Sequence, residues 1–196
     1  METGLVRDRP FHAPVQQFFE YLLVAKPDAA VHDKLIQEKQ RFTLQYHAPI
    51  AEKTKPHITV ANFLAKEEME STIIRWMHRI ISNQQRFRVT LDRYCGYKPH
   101  TIYVRVQDHQ PFQQLARELQ VVDQYVRGYG CPEMRLITRP HMTIARRLSA
   151  SVYQQAEADY AQKDFQASFE VNELVLLRRT HQFDACKQVN VFGLRP

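Results

Sequence analysis

The chain has 196 residues, 44% of them hydrophobic, enough to bury one sizeable core. Lys and Arg outnumber Asp and Glu by 27 to 21, and the resulting formal charge of +6 suits an anionic partner without demanding one. No apolar run approaches the ~20 residues of a membrane-spanning helix, and three Cys without metal-type spacing exclude a disulfide framework and structural zinc, so a reduced, cytoplasmic protein is expected.

Residues 1–15 read as an irregular arm, because Pro10 and Pro14 oppose regular structure. No Pro/Gly/Ser-rich linker divides the remainder, and 16–196 is expected to form one domain with two lobes. Gln17 to Ala25 is aromatic and aliphatic and predicts a buried strand closed by Pro27. Asp28 is placed to cap a helix over 29–45, whose apolar stripe is Val31, Leu35, Ile36 and Phe42 with Lys and Gln elsewhere. A loop over 46–56 then leads into a strand, His57 to Phe63.

Met69, Ile73, Trp76, Met77 and Ile80 recur at helical intervals and predict a helix from Glu67 to Ser82. Phe87 to Arg93 and Thr101 to Gln107 are expected as antiparallel strands joined by a turn over 94–100, where Gly96 and Pro99 supply turn chemistry. One helix is predicted over 112–127 and ends at Gly128 and Gly130. A strand segment follows over 135–147, then a helix over 150–162 and a strand over 169–176. The closing hairpin pairs 171–179 with 188–194. Strands and helices mix without strict alternation, which favours an α+β fold with antiparallel sheets.

One pattern occurs twice, as Lys55-Pro56-His57-Ile58-Thr59-Val60-Ala61 and as Arg139-Pro140-His141-Met142-Thr143-Ile144-Ala145. A single His-x-Thr is weak evidence of anything, but two copies matched at Pro, His, Thr and Ala point to duplication. A helix and then a strand follow each copy. On a strand, residues two apart share a face, so each copy presents a His and a Thr together and turns Ile58 and Val60, or Met142 and Ile144, towards a core. Arg146 sits on the wrong face by strict alternation and reaches the Thr143 face only if the strand ends or bulges there.

Imidazole gives and takes protons near neutral pH. If His57 and His141 face one another across a cleft, one can deprotonate a nucleophile while the other protonates a leaving oxygen, as phosphodiester cleavage requires. Thr59 and Thr143 are then placed to donate to the phosphate oxygens, with Arg146 as a further phosphate contact. No His-Glu-x-x-His, Cys-x-x-Cys, Walker or dinucleotide motif accompanies the pair, so neither a metal nor a cofactor is expected. Tyr97 and Phe183, both in expected turns, are candidates for stacking on a base.

With two His-x-Thr strands in a chain of this size, and with His141-Met142-Thr143-Ile144-Ala145-Arg146 as the second motif, the sequence resembles the 2H phosphoesterase superfamily. The superfamily includes 2′-5′ RNA ligase-like proteins and 2′,3′-cyclic nucleotide phosphodiesterases. The resemblance covers about Gln17 to Leu194. It implies a bilobal α+β fold with two antiparallel sheets, flanking helices, pseudo-twofold symmetry and an active-site cleft between the lobes. It also implies metal-independent chemistry on RNA ends or small nucleotides carrying a cyclic phosphate, with His57 and His141 as the acid/base pair and Thr59 and Thr143 on the phosphate. A monomer without a membrane partner is expected. Two other readings stay open: 2′-5′ RNA ligation, and a nucleotide- or RNA-binding module with the same cleft and no catalysis.

Overall fold

The structure, a computed structural model, describes residues 17–180 and 184–196. The arm expected over 1–15 and the candidate Phe183 lie outside the described residues.

Among the described residues, nine strands form two antiparallel sheets, with helices packed on them. Strand β1 (Phe18–Ala25) leads into helix α1 (Ala29–Tyr46), where the Asp28 carboxylate accepts from the Val31 amide at 2.9 Å. Such an N-cap is worth about 1 kcal/mol. Strand β2 (Ile58–Lys66) returns antiparallel to β1, and helix α2 (Glu70–Ile81) follows, burying Ile73, Met77 and Ile81. The hairpin of β3 (Phe87–Tyr97) and β4 (Thr101–Val106) runs into α3 (Gln110–Glu118) and α4 (Gln120–Gly128). The chain continues through β5 (Arg135–Leu136), β6 (His141–Ala145), α5 (Ala150–Tyr160), β7 (Asp164–Val171), β8 (Glu173–Arg179) and β9 (Lys187–Gly193).

The first sheet has the order β5-β2-β1-β8-β9 and the second β6-β4-β3-β7. In each, the strand carrying the repeated motif lies antiparallel to the strand that precedes it by one helical connection: β2 beside β1 across α1, and β6 beside β4 across α3 and α4. The duplication legible in the motif is therefore a duplication of the strand-helix-strand unit that carries it. One apolar cluster runs under both sheets, from Tyr21, Leu23, Ile58 and Phe63 to Val104, Met142, Ile144 and Phe169.

Three predicted elements divide. The helix over 112–127 breaks at Leu119 into α3 and α4. The segment 135–147 splits because Arg135 and Leu136 pair with β2 in the first sheet while His141 onward pairs with β4 in the second, with Pro140, which has no amide to donate, between them. The strand over 169–176 is two strands that change sheets at Asn172: Val171 pairs with Phe87, whereas Val175 pairs with Val24. Phe169 and Val171 before the crossing and Leu174, Val175 and Leu176 after it are all buried, so the apolar pattern does not mark the change of sheet.

Candidate active site

Both motif strands carry a β-bulge at the same place. Leu23 pairs with Ala61 and Val24 with Thr59, leaving Val60 over; Tyr103 pairs with Thr143 and Ile102 with Ala145, leaving Ile144 over. Ile58 and Val60, like Met142 and Ile144, are fully buried, while His57, Thr59, His141 and Thr143 are half-buried on the other face. An extra residue shifts the alternation by one. Asn62 and Arg146 are thereby returned to the His/Thr face, which satisfies the condition under which Arg146 reaches it. Arg146 is exposed, directly beyond the end of β6.

The two imidazoles are held alike. Nδ1 of His57 lies 2.8 Å from the Lys55 carbonyl oxygen, and Nδ1 of His141 lies 3.4 Å from that of Arg139, in each case two residues upstream. A carbonyl has no proton to give, so Nδ1 is the donor and Nε2 is left as the acceptor in the neutral ring. Residues of β2 and β6 come within 8 Å of one another, Cα to Cα.

Their surroundings differ. Burial pushes His57 below the ordinary imidazole pKa, the Lys55 carbonyl opposes this, and the positive Lys39 and Arg146 together with His141 push it down further. Burial also lowers His141, against the Arg139 carbonyl, and Arg135 adds to the lowering. His141 sits against aromatic rings: its centroid is 5.4 Å from that of Tyr97 and 5.1 Å from that of Tyr103. Tyr97 stacks on Tyr103 at 4.7 Å and remains 43% exposed, so one face is open to a planar partner. Tyr97 is the last residue of β3, a correction to its expected place in a turn. Arg105, directly opposite His141, is neutralised by a two-bond pair with Asp92 whose Nε–Oδ1 distance is 2.9 Å.

The open face of the first sheet adds a second polar group. Asn62 Nδ2 donates to Glu20 Oε1 at 2.8 Å, and Arg179 Nε donates to Glu20 Oε2 at 2.6 Å. The Arg179 hydrogen bond holds Glu20 below the usual carboxylate range against burial, with help from Asn62 and Arg146. Beneath the site Lys39, 1% exposed, donates to the carbonyls of Ala51 and Ile144 at 3.1 and 3.0 Å. Among the described residues, no group of three His, Cys, Asp or Glu is arranged to hold a metal ion, and no helix is long and apolar enough to cross a membrane.

A family model described as the 2′-5′ RNA ligase superfamily matches residues 27–182. The chain belongs to that superfamily. A search of curated proteins found no match. Among solved structures, E. coli LigT complexed with NADP+ is similar at 16% identity and a TM-score of 0.61, over 92% of this chain and 99% of LigT. TT0787 of Thermus thermophilus matches at 17% identity and 0.62, over 90% and 98%, and Kluyveromyces marxianus Usb1 at 11% and 0.52, over 92% and 100%. LigT has also been solved with 3′-AMP, with phosphate and with ATP. At these identities the likeness is one of fold: the superfamily's two antiparallel sheets with helices.

In this member of the superfamily, the sequence brought forward His57, Thr59, His141, Thr143, Arg146 and Tyr97, and the fold gathers them on the facing sides of β2 and of β6 with its neighbours. Sequence reasoning missed Glu20, Asn62, Tyr103 and Lys39. Lys39 had a signal. It falls between Leu35 and Phe42 at the spacing of the apolar stripe, where a solvated lysine does not belong. Glu20 had one too, as the one charge in the strand Phe18–Ala25.

Proposed function

We propose that this chain is a phosphoesterase that opens 2′,3′-cyclic phosphates on RNA ends or small nucleotides, with His57 and His141 exchanging the protons. The observation that carries this reading is the matched pair of imidazoles, each fixed through Nδ1 by the carbonyl two residues upstream, each leaving Nε2 for the substrate. One neutral imidazole takes a proton from water as its oxygen attacks phosphorus. The other, as imidazolium, gives a proton to the ribose oxygen whose bond to phosphorus breaks. The two groups then exchange protons with solvent and return to their starting states. No step calls for a metal.

Both imidazoles titrate below the ordinary value in the free protein, so one must gain a proton when substrate binds. A bound phosphate anion supplies the reason, since a negative charge within a few ångströms favours the imidazolium. Thr59, Thr143 and Arg146 meet the non-bridging oxygens, where charge gathers in the transition state. Tyr97, with one face open and the other on Tyr103, takes the base. Nucleotides and phosphate in the LigT structures accord with a substrate of this class.

Turnover of the four nucleoside 2′,3′-cyclic phosphates and of short cyclic-ended RNAs in excess EDTA is the test. Conversion to a monoester, lost in His57→Ala and His141→Ala, is the expected result. Joining of RNA ends without hydrolysis makes the protein a ligase. Tight nucleotide binding without turnover leaves it a binding module, and either outcome overturns the proposal.

A further inference from the structure

The two bulges leave the same backbone carbonyl over, and the two halves satisfy it differently. In the first sheet β2 has β5 beside it, and the Val60 carbonyl accepts from the Ile137 amide at 2.9 Å, just past the end of β5. In the second sheet β6 is the edge strand, with no neighbouring strand on that side among the described residues. There the Ile144 carbonyl accepts from Lys39 Nζ at 3.0 Å. The same ammonium donates to the Ala51 carbonyl at 3.1 Å and to Thr54 Oγ1 at 3.4 Å, in the segment that leads into the first motif. An ammonium has three protons, and here it has three acceptors.

We propose that Lys39 is a positioning residue for both halves of the site: it ties the lead-in to His57 to the bulge behind His141 and brings a buried positive charge to the His57 side of the tie. The proposal rests on the phosphoesterase reading above. None of the three acceptors is a carboxylate, so no counter-charge cancels the ammonium, and burial with the nearby Arg146 brings its pKa down to about 8. Glu38, next to it on α1, is engaged by Tyr160 at 2.7 Å and by Arg41 at 3.4 Å. The groups acting on His57 are then Lys39 from α1, Arg146 and His141 from β6 and its end, and the Lys55 carbonyl. Two cations and a carbonyl oppose one another there. His141 is set instead by burial, the Arg139 carbonyl and Arg135, so the charge of Lys39 bears chiefly on His57.

The sign of the effect is fixed. Removing a positive charge beside an imidazole makes its protonation easier, so the His57 pKa rises. In Lys39→Met, which keeps the length and removes the charge, the limb of the kcat/KM profile that belongs to His57 moves to higher pH while the limb that belongs to His141 stays. Loss of the tie between the halves lowers kcat by roughly 10-fold or more with little change in KM, since a small misplacement of catalytic groups acts on the chemical step. Lys39→Arg, which retains a charge, restores the His57 limb even if kcat recovers only in part.

Imidazole titration by NMR makes the test independent of turnover, and the same spectra show whether each variant is folded. In the wild-type protein His57 titrates below 6.5, and in Lys39→Met or Lys39→Gln it titrates higher while His141 does not move. An unmoved His57 in a folded variant, or a wild-type His57 at or above the ordinary value, overturns the proposal. If His57→Ala abolishes turnover while Lys39→Met changes neither rate nor profile, the phosphoesterase reading stands and the role of Lys39 falls.

Discussion

The two copies of the motif agree in backbone and differ in company. Both begin with a basic residue and Pro, both hold the imidazole by the carbonyl two residues upstream, and both bulge after the Thr. At the position the bulge returns to the site, however, one copy places Arg146 and the other Asn62, which is taken up by Glu20. The positive charges of Lys39 and Arg146 act on His57, whereas His141 sits against the rings of Tyr97 and Tyr103. In the proposed reaction a duplicated unit would supply two equivalent proton carriers. Unequal neighbours would then let one take a proton while the other gives it, because an acid and a base with identical environments have no reason to divide the work.

The comparison breaks first at what the copies share. His57→Ala and His141→Ala should each lower kcat/KM by ~10²–10⁴, and the double variant should lose little more, since groups that act as a unit are not additive. Two independent losses that multiply would show that the copies work separately. Next come the proposed phosphate contacts. Thr59→Val and Thr143→Val should each cost ~10-fold or more, as hydrogen bonds to charged groups are worth roughly 1.5–3 kcal/mol.

The position where the copies differ gives a sharper test. Arg146→Ala should cost ~10–100-fold in kcat/KM, and Asn62→Ala only a few-fold, because a charge-assisted contact to phosphate is lost in one case and a bond to Glu20 in the other. Equal losses, measured by steady-state kinetics, would contradict the assigned asymmetry. Tyr97→Ala has the smallest expected effect, a rise of about 5-fold in KM for a stacking loss near 1 kcal/mol, with kcat nearly unchanged.

The sequence made the candidate site legible because its residues are written locally. Pro-His-x-Thr occupies consecutive residues, and the alternation of a strand alone places His beside Thr. The bulges were not legible, since Val60-Ala61 and Ile144-Ala145 are apolar pairs that read equally well as continuous strand. Arg146 could be nominated but not placed for that reason. The place of Lys39 on the apolar stripe was legible but its task was not, because its partners, the carbonyls of Ala51 and Ile144, carry no side-chain signature. Most of the fold was read in order, from the Asp28 cap to the last hairpin. The sheet crossings at Asn172 and between Leu136 and His141 were not, because pairing partners are a tertiary choice that periodicity does not record.

The most direct test of two halves sharing one proton exchange is the pH dependence of kcat/KM on a nucleoside 2′,3′-cyclic phosphate, measured for the wild type and for each single histidine variant. The wild type should give a bell with both limbs below 6.5, because burial holds both imidazoles under that value. His57→Ala and His141→Ala should each lose a different limb. Loss of the same limb in both variants, or a wild-type profile without a bell, would contradict the account.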